Sequence, residues 1–279
     1  MPSVYEIVQS RIINQLESGV VPWQKTWQDL NPVNILTGKE YRGINRLLLA
    51  GHLHWGTYRQ IKEAGGNVMK GEKASGIVLF WSKTETRKAV NEQGDNVLII
   101  AERERPICRY YPVFNLSQCE GIEPEAVAEI TPVVSCEEII KRNRHLNGIG
   151  NPSYNPVKDY VNMPPINLFR SPEDYYAAYF HELTHWTGHS SRLNRSGIIS
   201  TSAKFGSETY SREELTAEMG SAFLCAMCGI DTDSVRNNSA SYIAGWLKHI
   251  KEGSPRDLIG AAGDAQRAAH FLTGEKPSS

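Results

Sequence analysis

The 279 residues, 40% hydrophobic and 22% charged, with a net charge of −1, exclude a disordered or fibrous chain and leave room for two globular domains. Near-neutrality hides an asymmetry: residues 1–90 hold 12 Lys and Arg against 7 Asp and Glu, and the remainder 18 against 24, so a polyanion would dock at the front. With no long uncharged apolar run to span a bilayer and no apolar segment at the N-terminus, a cytoplasmic protein without membrane contact is expected.

Val4, Ile7, Val8, Ile12 and Leu16 fall on one helical stripe that Gly19 is placed to stop. Residues 20–45 are broken by prolines, asparagines and glycines and read as an extended surface segment. "RLLLAGHLHW" and "TYRQIKEAGG" read as helices. "GIVLFW", "NVLIIA" and "RYYPVFN" read as strands of an antiparallel sheet, with turns such as the one at Gly94 between them. "GIEPEAVAEITPVV", residues 121–134, has no clear periodicity and is the expected linker between domains at 1–120 and 135–279. Beyond it the chain reads as mostly helical, so the fold class is α+β. Helices are expected over "CEEIIKRNRHL", from Pro172 to Trp186, from Arg212 to Cys228, and twice near the end. Ser171-Pro172-Glu173-Asp174 and Ser254-Pro255-Arg256-Asp257 both carry a serine cap and a first-turn proline. Five cysteines are too few and too scattered for a disulfide framework, and Cys225-Ala-Met-Cys228 reads as buried small side chains.

The chemistry is concentrated in "YFHELTHWTGHSSRLNR". On a helix His181 and His185 lie one turn apart and can reach one ion, with Glu182 beside them as general base. Gly188 can supply a left-handed stop. A catalytic zinc needs a third protein ligand. Six residues after the second histidine stands Ser191, and His189 falls two short, which weakens a metzincin arrangement. Glu214 and Glu218, one turn apart in "REELTAE", fit the gluzincin pattern of a glutamate ligand and a carboxylate orienting a ligand histidine. Glu214 is assigned to the metal and Glu218 behind it, or the two exchanged. Glu213, Asp231 and Asp233 read as solvated or capping residues. Tyr210 and His189 are candidate donors to a developing oxyanion. The expected reaction is zinc-assisted hydrolysis.

"NPVNILTGKEYRGIN", "YYPVFNLSQCEG", "HELTHWTGHSSRLNR", "EELTAEMGSAFL" and "SYIAGWLKHI" together resemble the ArdC antirestriction proteins of conjugative plasmids, over nearly the whole chain. The resemblance implies an N-terminal single-stranded-DNA-binding domain, also found at the front of some plasmid primases, and a C-terminal zincin-like metallopeptidase domain. It implies protection of incoming DNA from host restriction, with a restriction-system component as a conceivable protein substrate. Trp23, Lys25, Trp27, Lys39, Tyr41, Arg42, Asn45 and Arg46, which interleave aromatic faces with cations, are then the candidate DNA contacts.

Overall fold

The structure is a computed structural model that describes residues 2–23, 32–49, 52–90, 96–123, 132–143, 151–199, 208–230 and 240–275. Helix α1 (Val4–Glu17) opens on a capping box. The Ser3 hydroxyl accepts from the Glu6 amide, and the Glu6 carboxylate accepts from the Ser3 amide. Its expected stripe buries Val8, Ile12 and Leu16. Gly19 follows at φ +81°, where a side chain would be strained.

Next come β1 (Val33–Asn34), α2 (Ile44–Leu48), β2 (His54–Gly56), α3 (Tyr58–Glu63), β3 (Asn67–Val68), β4 (Gly76–Val90), β5 (Asn96–Asn115) and β6 (Cys119–Glu120). One sheet runs in the order β1-β2-β5-β4, parallel between β1 and β2 and antiparallel elsewhere, while β3 pairs with β6. Two expectations are corrected. The helix foreseen over "RLLLAGHLHW" ends after one turn, and its histidine-tryptophan end becomes β2, which pairs on both edges. The runs at 96–101 and 109–115 are parts of one strand of 20 residues, since the polar stretch between them stays extended opposite β4 despite a register shift between Ser82 and Thr84. Gly94 lies outside the described residues.

The second half supplies α4 (Pro132–Arg142), β7 (Ser153–Asn155), β8 (Tyr160–Asn162), α5 (Pro172–Thr187), α6 (Ser196–Ile199), α7 (Glu208–Met227), α8 (Ala240–Glu252) and α9 (Pro255–Thr273). Ser171 and Ser254 cap α5 and α9 as their sequences indicate. The fold is α+β, with the sheet in front and helices behind. Helix α7 packs along both α5 and α9, and Ser221 of α7 donates to the Ala177 carbonyl of α5 at 2.7 Å.

One buried cluster joins Val8, Ile12 and Leu16 of α1, Ile44 and Leu47 of α2, and Ile77 and Leu79 of β4 to Leu183, Leu215, Leu224 and Ala265. Helix α1 thus closes on the helical half, and Gln9 donates to the Ile250 carbonyl at 2.7 Å. Cys225 and Cys228 are buried in the same cluster. A smaller cluster of Leu49, Trp55, Val78 and Val113 lies on the other face of the hairpin. Among the described residues no helix is long and apolar enough to cross a membrane.

Candidate metal centre

Helices α5 and α7 approach closely because Gly220 has no side chain: a Cβ there would lie 2.6 Å from the Thr184 side chain. That contact sets the start of α7 beside the last turns of α5. His181 and His185, one turn apart, face each other with Nε2 atoms 3.2 Å apart. Glu214 closes the triangle, its oxygens 3.6 Å from His181 Nε2 and 3.5 Å from His185 Nε2. Among the described residues these three form the one group of His, Cys, Asp and Glu side chains converging this tightly. Tetrahedral ligands at about 2.0–2.1 Å from an ion stand roughly 3.3–3.4 Å apart, so the donor set fits one ion.

Behind His185 stands a carboxylate the sequence did not single out, Glu213, while Glu218 acts on His181. Glu213, expected on a solvated surface, is only 5% exposed, and its Oε1 stands 3.2 Å from His185 Nδ1. An ionised carboxylate only accepts, so Nδ1 carries the proton and Nε2 presents its lone pair to the metal position. Arg195 holds Glu213 through 2.9 and 2.7 Å bonds to its two oxygens, and also donates to Thr187 Oγ1 and the Thr184 carbonyl. Burial raises the Glu213 carboxyl pKa, but the bonds from Arg195 and His185 outweigh it and keep the group below the ordinary range. Glu218, half-buried one turn beyond Glu214, acts on His181 through its charge. Burial pulls the His181 imidazolium down. The Glu214 bond and the charges of Glu218, Glu182 and Glu214 prevail and push it up to about 9.

Gly188 does end α5, but at φ −76° rather than in the left-handed region. Its small size serves Arg195, whose Nη2 would stand 2.9 Å from a Cβ at that position. The chain then folds back, with the Arg195 amide donating to the Gly188 carbonyl at 2.9 Å.

A cleft of about 420 Å³ opens over the triangle, lined by His181, Glu182, His185, Glu213 and Glu214, by Gly197 and Ile198, and by Pro152, Ser153, Tyr154 and Pro156 on the far wall. Tyr154, which the sequence reading passed over, is fixed by donating to Asp159 at 2.9 Å. Asp159 also accepts from Arg192, whose guanidinium lies 3.8 Å from the Trp186 ring centre. His189 turns to Ser191 Oγ at 2.8 Å and lies 3.9 Å from Asp159, and it does not line the cleft. The Tyr210 side chain, Asp231 and Asp233 lie outside the described residues.

The candidate DNA contacts are dispersed. Trp23 is 1% exposed and meets Trp246 edge-on at 5.4 Å, so its indole is core and cannot stack on a base. Arg46 is 4% exposed, lies over the Phe223 ring at 4.6 Å and bonds Gln266, and burial draws its guanidinium down to about 10. Asn45 is buried too, exchanging bonds with the Leu79 backbone at 3.0 and 2.7 Å, which pins α2 to β4. None of these three offers a surface to DNA. Tyr41 is partly buried, its hydroxyl accepting from Asn34 at 2.9 Å, while Arg42 is half-buried and Lys39 exposed. Lys25 and Trp27 lie outside the described residues.

Residues 2–114 match the family model for the N-terminal domain of anti-restriction factor ArdC, and residues 141–264 that for a zincin-like metallopeptidase. Two crystal structures of the antirestriction ArdC protein from plasmid R388 align over 98% of each chain. The metal-free one has 35% identity and a TM-score of 0.73, and the Mn(II)-bound one 33% and 0.76. The chain belongs to the ArdC antirestriction family. Its relatives include two proteins named DNA primase TraC from Escherichia coli, 36% and 33% identical over 96% of this chain, which spans only 27% and 20% of their length. A Sinorhizobium fredii protein, y4eC, is 33% identical across 96% of this chain and 91% of its own. Zincin-like architecture and antirestriction kinship therefore meet in one ArdC chain.

Proposed function

We propose that this ArdC protein protects DNA entering a cell from restriction, binding single-stranded DNA with its front half and carrying a zinc-dependent peptidase centre behind. The observation that carries the second half of this reading is the triangle of His181, His185 and Glu214 beneath a cleft that Glu182 also lines. The relative crystallised with Mn(II) supports a divalent ion at such a centre. The cationic front and the kinship with proteins named as DNA primases support the first half.

A divalent ion held by His181, His185 and Glu214 would supply Lewis-acid polarisation of a substrate carbonyl and acidify water in the cleft. Glu182, on the turn between the two histidines, accepts the proton of the attacking water and returns it to the departing amine. Glu213 keeps His185 Nδ1 protonated and its ring fixed, and Arg195 in turn fixes Glu213. Tyr154 walls the cleft opposite, with its hydroxyl proton committed to Asp159.

Glu182→Gln tests the reading because the amide keeps the shape but cannot accept a proton. Metal content should stay at the wild-type level while hydrolysis of a peptide library falls by a factor of ~10² or more. Loss of the metal in that variant would make Glu182 a ligand and overturn its role. A metal-loaded wild-type protein that cleaves no member of the library would overturn the peptidase reading.

A further inference from the structure

The outer face of the β4–β5 hairpin takes no part in the metal centre, and its composition is unusual for a surface. Register fixes which side chains share it: Val78 opposite Tyr111, Phe80 opposite Arg109, and Ser82 opposite Ile107. At its base this face is closed, since Val78 and Val113 pack with Leu49 and Trp55, and Tyr41 lies against them. One step outward the cover ends. Phe80 is 57% and Tyr111 39% exposed, with the exposed Arg109 beside them. Leaving a phenylalanine in water beside a tyrosine forgoes burial that another surface could provide.

We propose that Phe80, Arg109 and Tyr111 form a stacking platform for single-stranded DNA. The assignment rests on the reading that the front half binds single strands, and it gives that activity a place, since Trp23, Asn45 and Arg46 are buried. The two rings are diagonal neighbours across the strands, about 7–8 Å apart along the backbone, a spacing that seats successive bases on one surface. The guanidinium of Arg109, opposite Phe80 and two residues from Tyr111, can meet the phosphate that links those bases or lie on a base face. Lys83, next to Ser82 on β4, and Lys39, two residues before Tyr41, are further exposed cations. Aromatic faces with cations around them match a polyanion that carries uncovered rings. A duplex keeps its base faces stacked inside and cannot use the platform.

The test uses the full chain, titrating a labelled mixed-sequence oligonucleotide, single-stranded and as a duplex, by fluorescence anisotropy at several salt concentrations. Wild-type protein should prefer the single strand. Phe80→Ala and Tyr111→Ala should each weaken that binding by about fivefold or more, with melting temperature and metal content unchanged, and Phe80→Trp should keep it. Arg109→Ala should lower the salt slope by about one. Leu98→Ser, at a residue 71% exposed near the far end of the hairpin, should bind as wild type does. A wild-type protein without affinity for single strands would end both this assignment and the reading under it. Wild-type binding that survives Phe80→Ala and Tyr111→Ala would end the assignment alone, as would equal loss from Leu98→Ser. If those two variants leave DNA affinity intact but reduce the mass seen by light scattering, the face joins copies of this chain and the assignment fails.

Discussion

The cleft between α5 and α7 and the outer face of the β4–β5 hairpin present their side chains in opposite ways. In the cleft a chain of partners stands behind His185: His185 has Glu213, Glu213 has Arg195, and Arg195 has Thr187 and the Thr184 carbonyl. On the hairpin, Phe80 and Tyr111 stand on the outer face, beyond the point where Leu49 and Trp55 cover it. The difference fits the role proposed for each surface. A metal site works only if its donors are held to fractions of an ångström before the ion arrives, whereas stacking on bases of any sequence tolerates adjustment. Substitution should therefore propagate inward in the cleft and stay local on the hairpin.

The largest effect is expected at the donors themselves. His181→Ala or His185→Ala leaves two of three protein ligands, so purified protein should fall from about one divalent ion per chain to a small fraction of that by elemental analysis. Equal metal in wild-type and His181→Ala proteins would remove the centre from consideration.

A smaller loss tests the layer behind. Glu213→Gln keeps the volume but replaces a charge that both Arg195 and His185 use, and metal affinity should fall by about 10–100-fold. Competition titration against a chromophoric chelator measures this. If Glu218→Gln has that effect and Glu213→Gln has none, the carboxylate that orients the ligand is the one first expected from the sequence.

Stability should depend on pH without metal and lose that dependence with it. The metal-free His181 imidazolium is favoured, its pKa pushed up to about 9 from the ordinary imidazole value of about 6.5. It stabilises the folded state fully below about 6.5, and that contribution is lost as pH rises through about 9. Metal requires the same nitrogen unprotonated, so affinity should climb by up to about tenfold per pH unit across this window, with about one proton released on binding. Melting curves at both ends of the window should therefore show apo-protein losing stability while metal-saturated protein, whose His181 is unprotonated both folded and unfolded, changes little. Metal-saturated protein that loses stability in step with the apo-protein would mean that His181 does not exchange a proton for the ion.

How much of this could be read in advance depended on distance along the chain. The histidine pair needs only the helical repeat, and Ser171-Pro172 marks where that helix starts, so His181, Glu182 and His185 were legible. Glu213 and Glu214 are adjacent and point about 100° apart on a helix of 3.6 residues per turn. The spacing with Glu218 already pointed to Glu214 as the third ligand, but that Glu213 reaches His185 Nδ1 depends on the rotation of α7, fixed by Gly220 against Thr184, and no local pattern reports it. Trp23 has the same ambiguity, because an aromatic side chain with a cation nearby suits a base and a core equally well. Only the approach of Trp246 from α8 decides for the core. "GIVLFW" is apolar throughout, without the alternation that would mark an open face, so the exposure of Phe80 emerges only when the cover by Leu49 and Trp55 ends.

The smallest expected effect is also the sharpest contrast between the two regions. A side chain that reaches into water from a ribbon gives up little when truncated, so Phe80→Ala and Tyr111→Ala should change unfolding free energy by no more than about 0.5 kcal/mol in urea titrations. Trp23→Ala, at a ring buried against Trp246, should cost about 3–5 kcal/mol in the same measurement. The pairing matters because both residue types were open to a reading as DNA contacts. If Phe80→Ala costs as much as Trp23→Ala, the phenylalanine is held by packing and the platform loses its free face. If Trp23→Ala costs as little as Phe80→Ala, the indole is not core, and the segment from Trp23 to Arg46 becomes a DNA surface again.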